Sequence, residues 1–297
     1  MNTTCRDLPF TVHPGHLLAI AMDTLNRGVH FPVATAADAI GWKAIAVNLS
    51  DLAAMGAEPL YCSVHLYHDH DDAFVRTFTA GCEQISNACQ VPFALDVEAV
   101  NDLSVTVQVY GQVPEAMALR RDGARVGDGI YISGCLGDAA LALSAVEMDT
   151  NVYTAARQRL DRPQPRLALG RQLRGTASSA IDISDGLLAD LGHIMQASGV
   201  GARLVRDQVP LSGALQTLGD RQQAWQLALG GGDDYELCFT VPAAREQQLR
   251  ALNVDVSITR IGEIIEGKAL QLMDSAGRAV AIDQAGYEHF TGEPHGQ

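Results

Sequence analysis

Asp51 stands where a helix calls for an apolar residue. From Ala36 the pattern is helical, with Ile40, Ala44 and Val47 at i, i+4 and i+7, and the next step of four lands on Asp51. A charge buried without a partner neutralises, pairs or binds a metal. The only cation in this segment is Lys43, two turns back. The stripe therefore predicts a metal ligand, unless it drifts at its end and leaves Asp51 in water ahead of Gly56. Leu17 to Met22 reads as a buried strand that delivers Asp23 at its C-terminal end, followed by a loop from Thr24 to Phe31 that holds Gly28 and His30. Strand ends are where sites form in α/β folds.

A third stretch runs from Ser178 to Gly199. Alternation sets Ile181 and Ile183 on one face of a short strand and Asp182 and Ser184 on the other. Asp185 then stands at the N-cap position of a helix packed through Leu187, Leu191 and Ile194 and closed by Gly199. Two carboxylates and a hydroxyl beside a helix N-terminus, whose amides favour anions, suit magnesium and phosphate. The alternative assigns Asp185 to capping and Asp182 to an exposed strand face. A fourth stretch, Gly230-Gly231-Gly232-Asp233-Asp234-Tyr235-Glu236, leads into a strand from Leu237 to Val241. Its glycines permit close backbone approach to a ligand, and they serve a turn equally well. His68-Asp69-His70-Asp71-Asp72 looks metal-like, but reads as a solvated loop whose aspartates cap the following helix.

The elements that must position these residues alternate in type. Strands are expected at Leu60 to Tyr67, Val91 to Leu95 and Leu103 to Val113, the last with Val105, Val107 and Val109 alternating, and a helix at Ala73 to Cys89. Asp96 to Asp102 reads as the connection between two of those strands. A charged connector between Pro114 and Gly127 marks a boundary, giving an α/β chain of two domains, 1–116 and 117–297. The second begins with a strand from Gly129 to Gly134 and a helix from Gly137, with further helical stretches to about Leu173.

Composition narrows the chemistry. The 297 residues are 47% hydrophobic and 19% charged, enough for a substantial core. No apolar run reaches the ~18 residues of a membrane span, and the N-terminus lacks the pattern of a secretory signal. A cytoplasmic protein is expected. The six cysteines show no ligand spacing and suit small buried hydrophobes. A net charge of -14 argues against nucleic-acid and anionic-membrane partners. Lys43 and Lys268 are the only lysines and neither lies in a GxxxxGK[ST] loop. Phosphate chemistry here must rest on Arg, backbone amides and metal ions.

The segments DTLNRGVHF (Asp23 to Phe31), AVNLSDLAAMGAEP (Ala46 to Pro59), RRDGARVGD (Arg120 to Asp128), AIDISDGLLADLGHI (Ala180 to Ile194), GGGDDYELCFTVP (Gly230 to Pro242) and GYEHF (Gly286 to Phe290) resemble, in order and spacing, the thiamine-monophosphate kinase family. NLSDLAAMGAEP recurs in looser form across the wider superfamily of aminoimidazole ribonucleotide synthetase. The combination of GVHF, ISDGL, DYEL and GYEHF is more specific. The resemblance implies a two-domain α/β fold of the α+β type, in which N-terminal domains pair through their sheets in a homodimer. It implies transfer of the γ-phosphate of ATP to thiamine monophosphate, with several magnesium ions. By motif position, Asp23, Asp51, Asp96, Asp182 and Asp185 resemble the magnesium ligands and Asp96, Arg121 and Ser184 the nucleotide contacts. His30, Asp233 and Tyr287 resemble the contacts to the thiamine moiety.

The chain departs from the family pattern in several places. Asp233 replaces a glutamate, and Met22 replaces a small hydroxyl residue beside Asp23. A GIGDDAA loop that the family carries ahead of Asp23 has no counterpart in this sequence, Asp7 standing alone there. A GGDTT loop is replaced by Ala94-Leu95-Asp96-Val97-Glu98, so side chains crowd a backbone expected to lie against phosphates. These departures lead to the expectation of reduced activity. They keep two alternatives open, another ATP-dependent member of the superfamily and a catalytically impaired paralogue that binds ligand.

Overall fold

Alternation and helical phase separate cleanly along the first 118 residues. In the computed structural model, which describes residues 9–144 and 150–281, these form β1 (His16–Asn26), α1 (Ala37–Ala54), β2 (Glu58–His68), α2 (Asp72–Cys89), β3 (Phe93–Ala99) and β4 (Ser104–Pro114). The four strands make one sheet in the order β1-β4-β2-β3, with only the β2/β3 pair parallel. One face is closed by the helices: Val105, Val107 and Val109 of β4 and Cys62, Val64 and Leu66 of β2 are buried with Ile40, Ala44 and Leu52 of α1 and Phe78 and Ile85 of α2. The other face carries Leu18, Ile20 and Met22 of β1 in the open, at 44%, 50% and 62% exposure.

α1 is buried on nearly every side, with consecutive buried residues from Lys43 to Ser50. A helix apolar all round has no single stripe from which to infer the burial of one residue, and Asp51 is half-buried. Gly56 follows the helix with φ +65°. Asp71 accepts from the Phe74 amide at 3.0 Å and caps α2, as the sequence predicts.

Two expectations in this unit are corrected. β1 does not end at Asp23: it pairs antiparallel with β4 in unbroken register from His16↔Pro114 to Asn26↔Ser104, with Asp23 opposite Val107. A partner strand as long as β4 keeps the pairing going past the apolar run. Likewise Asp96, Val97 and Glu98 belong to β3, not to a connection, because β2 offers parallel partners as far as His68↔Ala99.

The second compact unit comprises Leu119–Gln164 and Gly175–Gln297. It opens with β5 (Gly129–Ser133), α3 (Asp138–Leu143) and α4 (Thr150–Asp161). The chain then visits the first unit as α5 (Leu167–Leu173), which packs on α1. It returns as β6 (Ser179–Asp182), α6 (Leu187–Ser198), β7 (Gly201–Val205), α7 (Gly213–Gln216), α8 (Arg221–Gly230), β8 (Leu237–Val241), α9 (Glu246–Arg250), β9 (Ile258–Ile265) and β10 (Leu270–Met273). The sheet order is β10-β7-β9-β5-β8-β6, with β10/β7 the one parallel pair. Ile130, Ile132, Ile181, Leu187, Leu191, Ile194, Leu215 and Ala228 are among the residues of its core. Two mixed sheets flanked by helices make the chain α/β of the α+β type.

Candidate active site

The carboxylates of the second unit gather where β6 gives way to α6. Asp182 ends β6 and is buried at 4% exposure, whereas Ser184 and Asp185 are half-buried. β8 extends this ladder through the segment before it. The Ile183 amide donates to the Glu236 carbonyl, the Tyr235 amide to the Ile183 carbonyl and the Asp233 amide to the Ser184 carbonyl, each at 2.8 Å. Asp233 is thus fixed beside Ser184. The structure brings Asp182, Ser184, Asp185 and Asp233 into one neighbourhood.

The glycines here serve that packing. A Cβ on Gly232 would overlap the Ser184 carbonyl oxygen, and one on Gly186, at φ +115°, would lie 2.7 Å from the Gly230 carbonyl oxygen. Close approach at these two glycines is to the chain's own backbone, where the sequence left open an approach to a ligand or a turn. Asp233 and Tyr235 adopt left-handed φ of 67° and 50°, uncommon for residues with a side chain. The Tyr235 hydroxyl donates to Asp233 Oδ1 at 2.9 Å, and Asp234 and Glu236, between and after them, are driven inward.

Asp185 is not the N-cap of α6. That position belongs to Gly186, and the amides of Ser184, Asp185 and Gly186 all donate to Oδ2 of Asp190, at 3.0, 3.0 and 3.1 Å. A carboxylate in the first turn of the helix reaches back over its opening and displaces the capping role from Asp185. Burial, then the charges of Asp182 and Asp185, push the Asp190 carboxyl up to about 7, against the pull of the amides. Asp185, Asp190 and His193 offer ligand atoms within 4.8 Å of one another.

Beneath the segment lies a second group of acids that the sequence did not single out. Both oxygens of Asp234 accept from the Gly137 amide, at 3.0 and 2.9 Å. Glu236, with no exposure, accepts from Ser133 Oγ at 2.6 Å and pairs with Arg159 at 2.7 Å. Ser212 Oγ donates to Asp138. Burial raises the Asp138 carboxyl and raises that of Asp234 much further. These partners lie 74 to 103 residues apart, beyond any local pattern. The connector with Arg121 runs alongside: the Arg120 carbonyl accepts from the Ala180 amide, the Arg121 carbonyl accepts from Ser198 Oγ, and the Arg121 side chain is exposed.

In the first unit the expected site residues are spread. Asp51 lies in the last turn of α1, and Asp23 is exposed on β1. Asp96, on β3, stands opposite His65 on the face away from the helices, with Oδ2 3.9 Å from His65 Nδ1. β1 and β3 are the two edges of the sheet. Three strand spacings of about 4.8 Å separate Asp23 from Asp96 by roughly 14 Å, so the two do not share one ion. His30 is held in the turn after β1, its Nδ1 accepting from the Asn26 amide at 2.9 Å. That bond leaves the ring proton of the neutral imidazole on Nε2. Tyr287 lies outside the described residues.

Two family models match the chain: the AIR synthase related protein N-terminal domain over residues 7–113 and the corresponding C-terminal domain over residues 125–275. Thiamine-monophosphate kinase of Escherichia coli K12 is 41% identical over 285 residues, 92% of this chain and 86% of the relative. The Haemophilus influenzae enzyme is 37% identical over 290 residues, 94% and 88% of the two chains. Among solved structures, thiamine-monophosphate kinase from Stenotrophomonas maltophilia K279a superposes with a TM-score of 0.83 at 43% identity, covering 90% of this chain and 87% of that one. AaThiL complexed with AMPPCP and TMP gives 0.81 at 30% identity, covering 94% and 89%.

Proposed function

Since the chain belongs to the AIR synthase related family in both of its domains, we infer that it is an ATP-dependent kinase that converts thiamine monophosphate to thiamine diphosphate. The observation that carries this reading is the backbone bond between Asp233 and Ser184, 2.8 Å long. It sets Asp233, which the resemblance assigns to the thiamine moiety, beside Ser184, which it assigns to the nucleotide, and direct transfer requires that the two substrates be held side by side. The acceptor oxygen belongs to a phosphate already anionic at neutral pH. No general base is needed, and the protein's task is to position the two substrates and balance charge around a loose transition state.

The donor set fits magnesium. Asp182, Asp185 and Ser184 offer hard oxygen ligands, and the Asp190 carboxyl beside them is raised by burial and then by the charges of Asp182 and Asp185, a like-charge crowding that a divalent cation would offset. Magnesium would supply charge neutralisation between the phosphates. On this reading Asp182 and Asp185 hold the ion and Ser184 and Arg121 meet the nucleotide. By the resemblance Asp23, Asp51 and Asp96, in the first unit, are assigned to further magnesium ions, and Asp96 also to the nucleotide. His30, Asp233 and Tyr287 are the residues that the resemblance assigns to the thiamine moiety. Asp233 is one methylene shorter than the family's glutamate, and its left-handed backbone and the bond from Tyr235 set where that shorter side chain ends.

The exposed apolar stripe of Leu18, Ile20 and Met22 on the sheet face away from the helices supports a homodimer joined through that face. Among the described residues no helix is long and apolar enough to cross a membrane. We place the enzyme in the cytoplasm, beside its ATP. The test is acceptor dependence: ADP release should be stimulated by thiamine monophosphate and not by thiamine. Equal stimulation by thiamine, or ADP release with neither, would point to a different member of the family.

A further inference from the structure

Three successive amides converging on one point is the way helix openings and backbone nests hold phosphate or sulfate. At the start of α6 that geometry is present, with Ser184, Asp185 and Gly186 as donors, but the anion is the chain's own. Asp190 Oδ2 sits 3.0 to 3.1 Å from all three nitrogens, and the residue is 2% exposed. The amides that the sequence offers to a phosphate are therefore taken. What the turn presents outward is its side chains.

We propose that Asp190 is a positioning residue, an internal anion that fixes the backbone from Ser184 to Gly186 so that Asp182, Ser184 and Asp185 meet magnesium and nucleotide through their side chains. The opposite edge of the same turn is held by the Asp233 and Tyr235 amides on the Ser184 and Ile183 carbonyls. Gly232 lies against the Ser184 carbonyl and Gly186 against that of Gly230. Held from both edges, the turn has little freedom to lose when ligand binds, and such preorganisation is what positions a metal-bound phosphate for transfer. Asp190 commits Oδ2 to three donors, a geometry that makes it a support of the turn whether or not its other oxygen faces the group it forms with Asp185 and His193. The proposal rests on the reading that Asp182 and Asp185 hold the magnesium-nucleotide.

The experiment compares Asp190→Asn, Asp190→Ala and Asp182→Asn in the full chain. It uses hydrogen exchange of the 184–186 amides, calorimetric binding of a magnesium complex of a non-hydrolysable ATP analogue, and KM and kcat for each substrate. Asn keeps a carbonyl oxygen where Asp190 Oδ2 stands, so exchange should stay slow and nucleotide affinity fall by no more than a few-fold. Ala removes the acceptor: the three amides should exchange at least about tenfold faster, the loss of one to two hydrogen bonds. Nucleotide affinity should fall by a similar factor, with KM for ATP raised and KM for thiamine monophosphate little changed. If Asp190→Ala proves unfolded by circular dichroism, Asp190→Ser, too short to reach the amides, replaces it with the same expectations. Wild-type exchange and affinity in the Ala or Ser variant would overturn the proposal. So would an Asn variant as damaged as Ala, which would make Asp190 a metal ligand. Unchanged nucleotide binding in Asp182→Asn would instead sink the underlying reading of the turn, a result that the Asp190 variants alone do not give.

Discussion

Replacing Gly232 by alanine adds one methyl group where two backbone segments of the site lie in close contact. Gly232 has no unusual φ, so alanine is conformationally acceptable there and the whole effect is steric. The new Cβ would overlap the Ser184 carbonyl oxygen and come within 3.3 Å of the Ser184 carbonyl carbon, both backbone atoms that cannot turn aside. Overpacking of this kind costs about 1–3 kcal/mol. Spreading the two segments also strains the Asp233 to Ser184 bond, worth about 1 kcal/mol net. We expect Gly232→Ala to lose about 2–4 kcal/mol in urea denaturation and to raise KM for both substrates, because the turn and Asp233 move apart together. Gly192→Ala is the internal control: it lies inside α6 with nothing within 4 Å of its Cβ, and should gain up to about 1 kcal/mol from helix propensity. Gly232→Ala within about 0.5 kcal/mol of the parent, a typical surface effect, with both KM values unchanged, would refute the close-packing argument.

Other outcomes follow from other parts of the molecule. Asp138 and Asp234 have folded-state carboxyls raised by burial, so the native state keeps protons that the unfolded chain releases near pH ~4. Their contribution is full below that pH and is lost as pH rises through the folded values. The Asp138→Asn and Asp234→Asn variants should therefore show a shallower fall of stability with rising pH, read by thermal melts across the acidic to neutral range. Arg159→Ala leaves Glu236 buried without its cation, and should cost about 2–3 kcal/mol by urea denaturation. Ile20→Asp places a charge in the exposed apolar stripe of β1 and should convert a dimer to a monomer in light scattering. A monomeric parent chain would contradict the sheet-face interface.

Much of this architecture was legible because its signals are local. The alternation of Val105, Val107 and Val109 and the Asp71 cap are each settled within a few residues, and each holds in the structure. Legibility failed where a partner decides. Where β1 stops depends on how far β4 can pair with it, which no property of Leu17 to Met22 records. Asp185 looked like a cap because it precedes an apolar helix, but the opening is served by Asp190, four residues beyond Gly186. A carboxylate in the first turn of a helix is a visible signal for that role. Asp51 was read from a stripe in a helix that is buried almost all round, where a stripe carries little information. The acids around Arg159 and the contact of Gly232 with Ser184 join positions far apart in the chain, and hydrophobic pattern cannot bring those together.

The central claim is that one phosphoryl group passes from ATP to thiamine monophosphate with the Asp182–Asp185 turn holding the donor. Phosphorus NMR of the chain with ATP, thiamine monophosphate and magnesium follows that group directly. The account predicts ADP and thiamine diphosphate appearing in equal amounts without inorganic phosphate, and loss of both in a folded Asp182→Asn variant. ATP consumed to ADP and free phosphate with no thiamine diphosphate, or full transfer by Asp182→Asn, would contradict it.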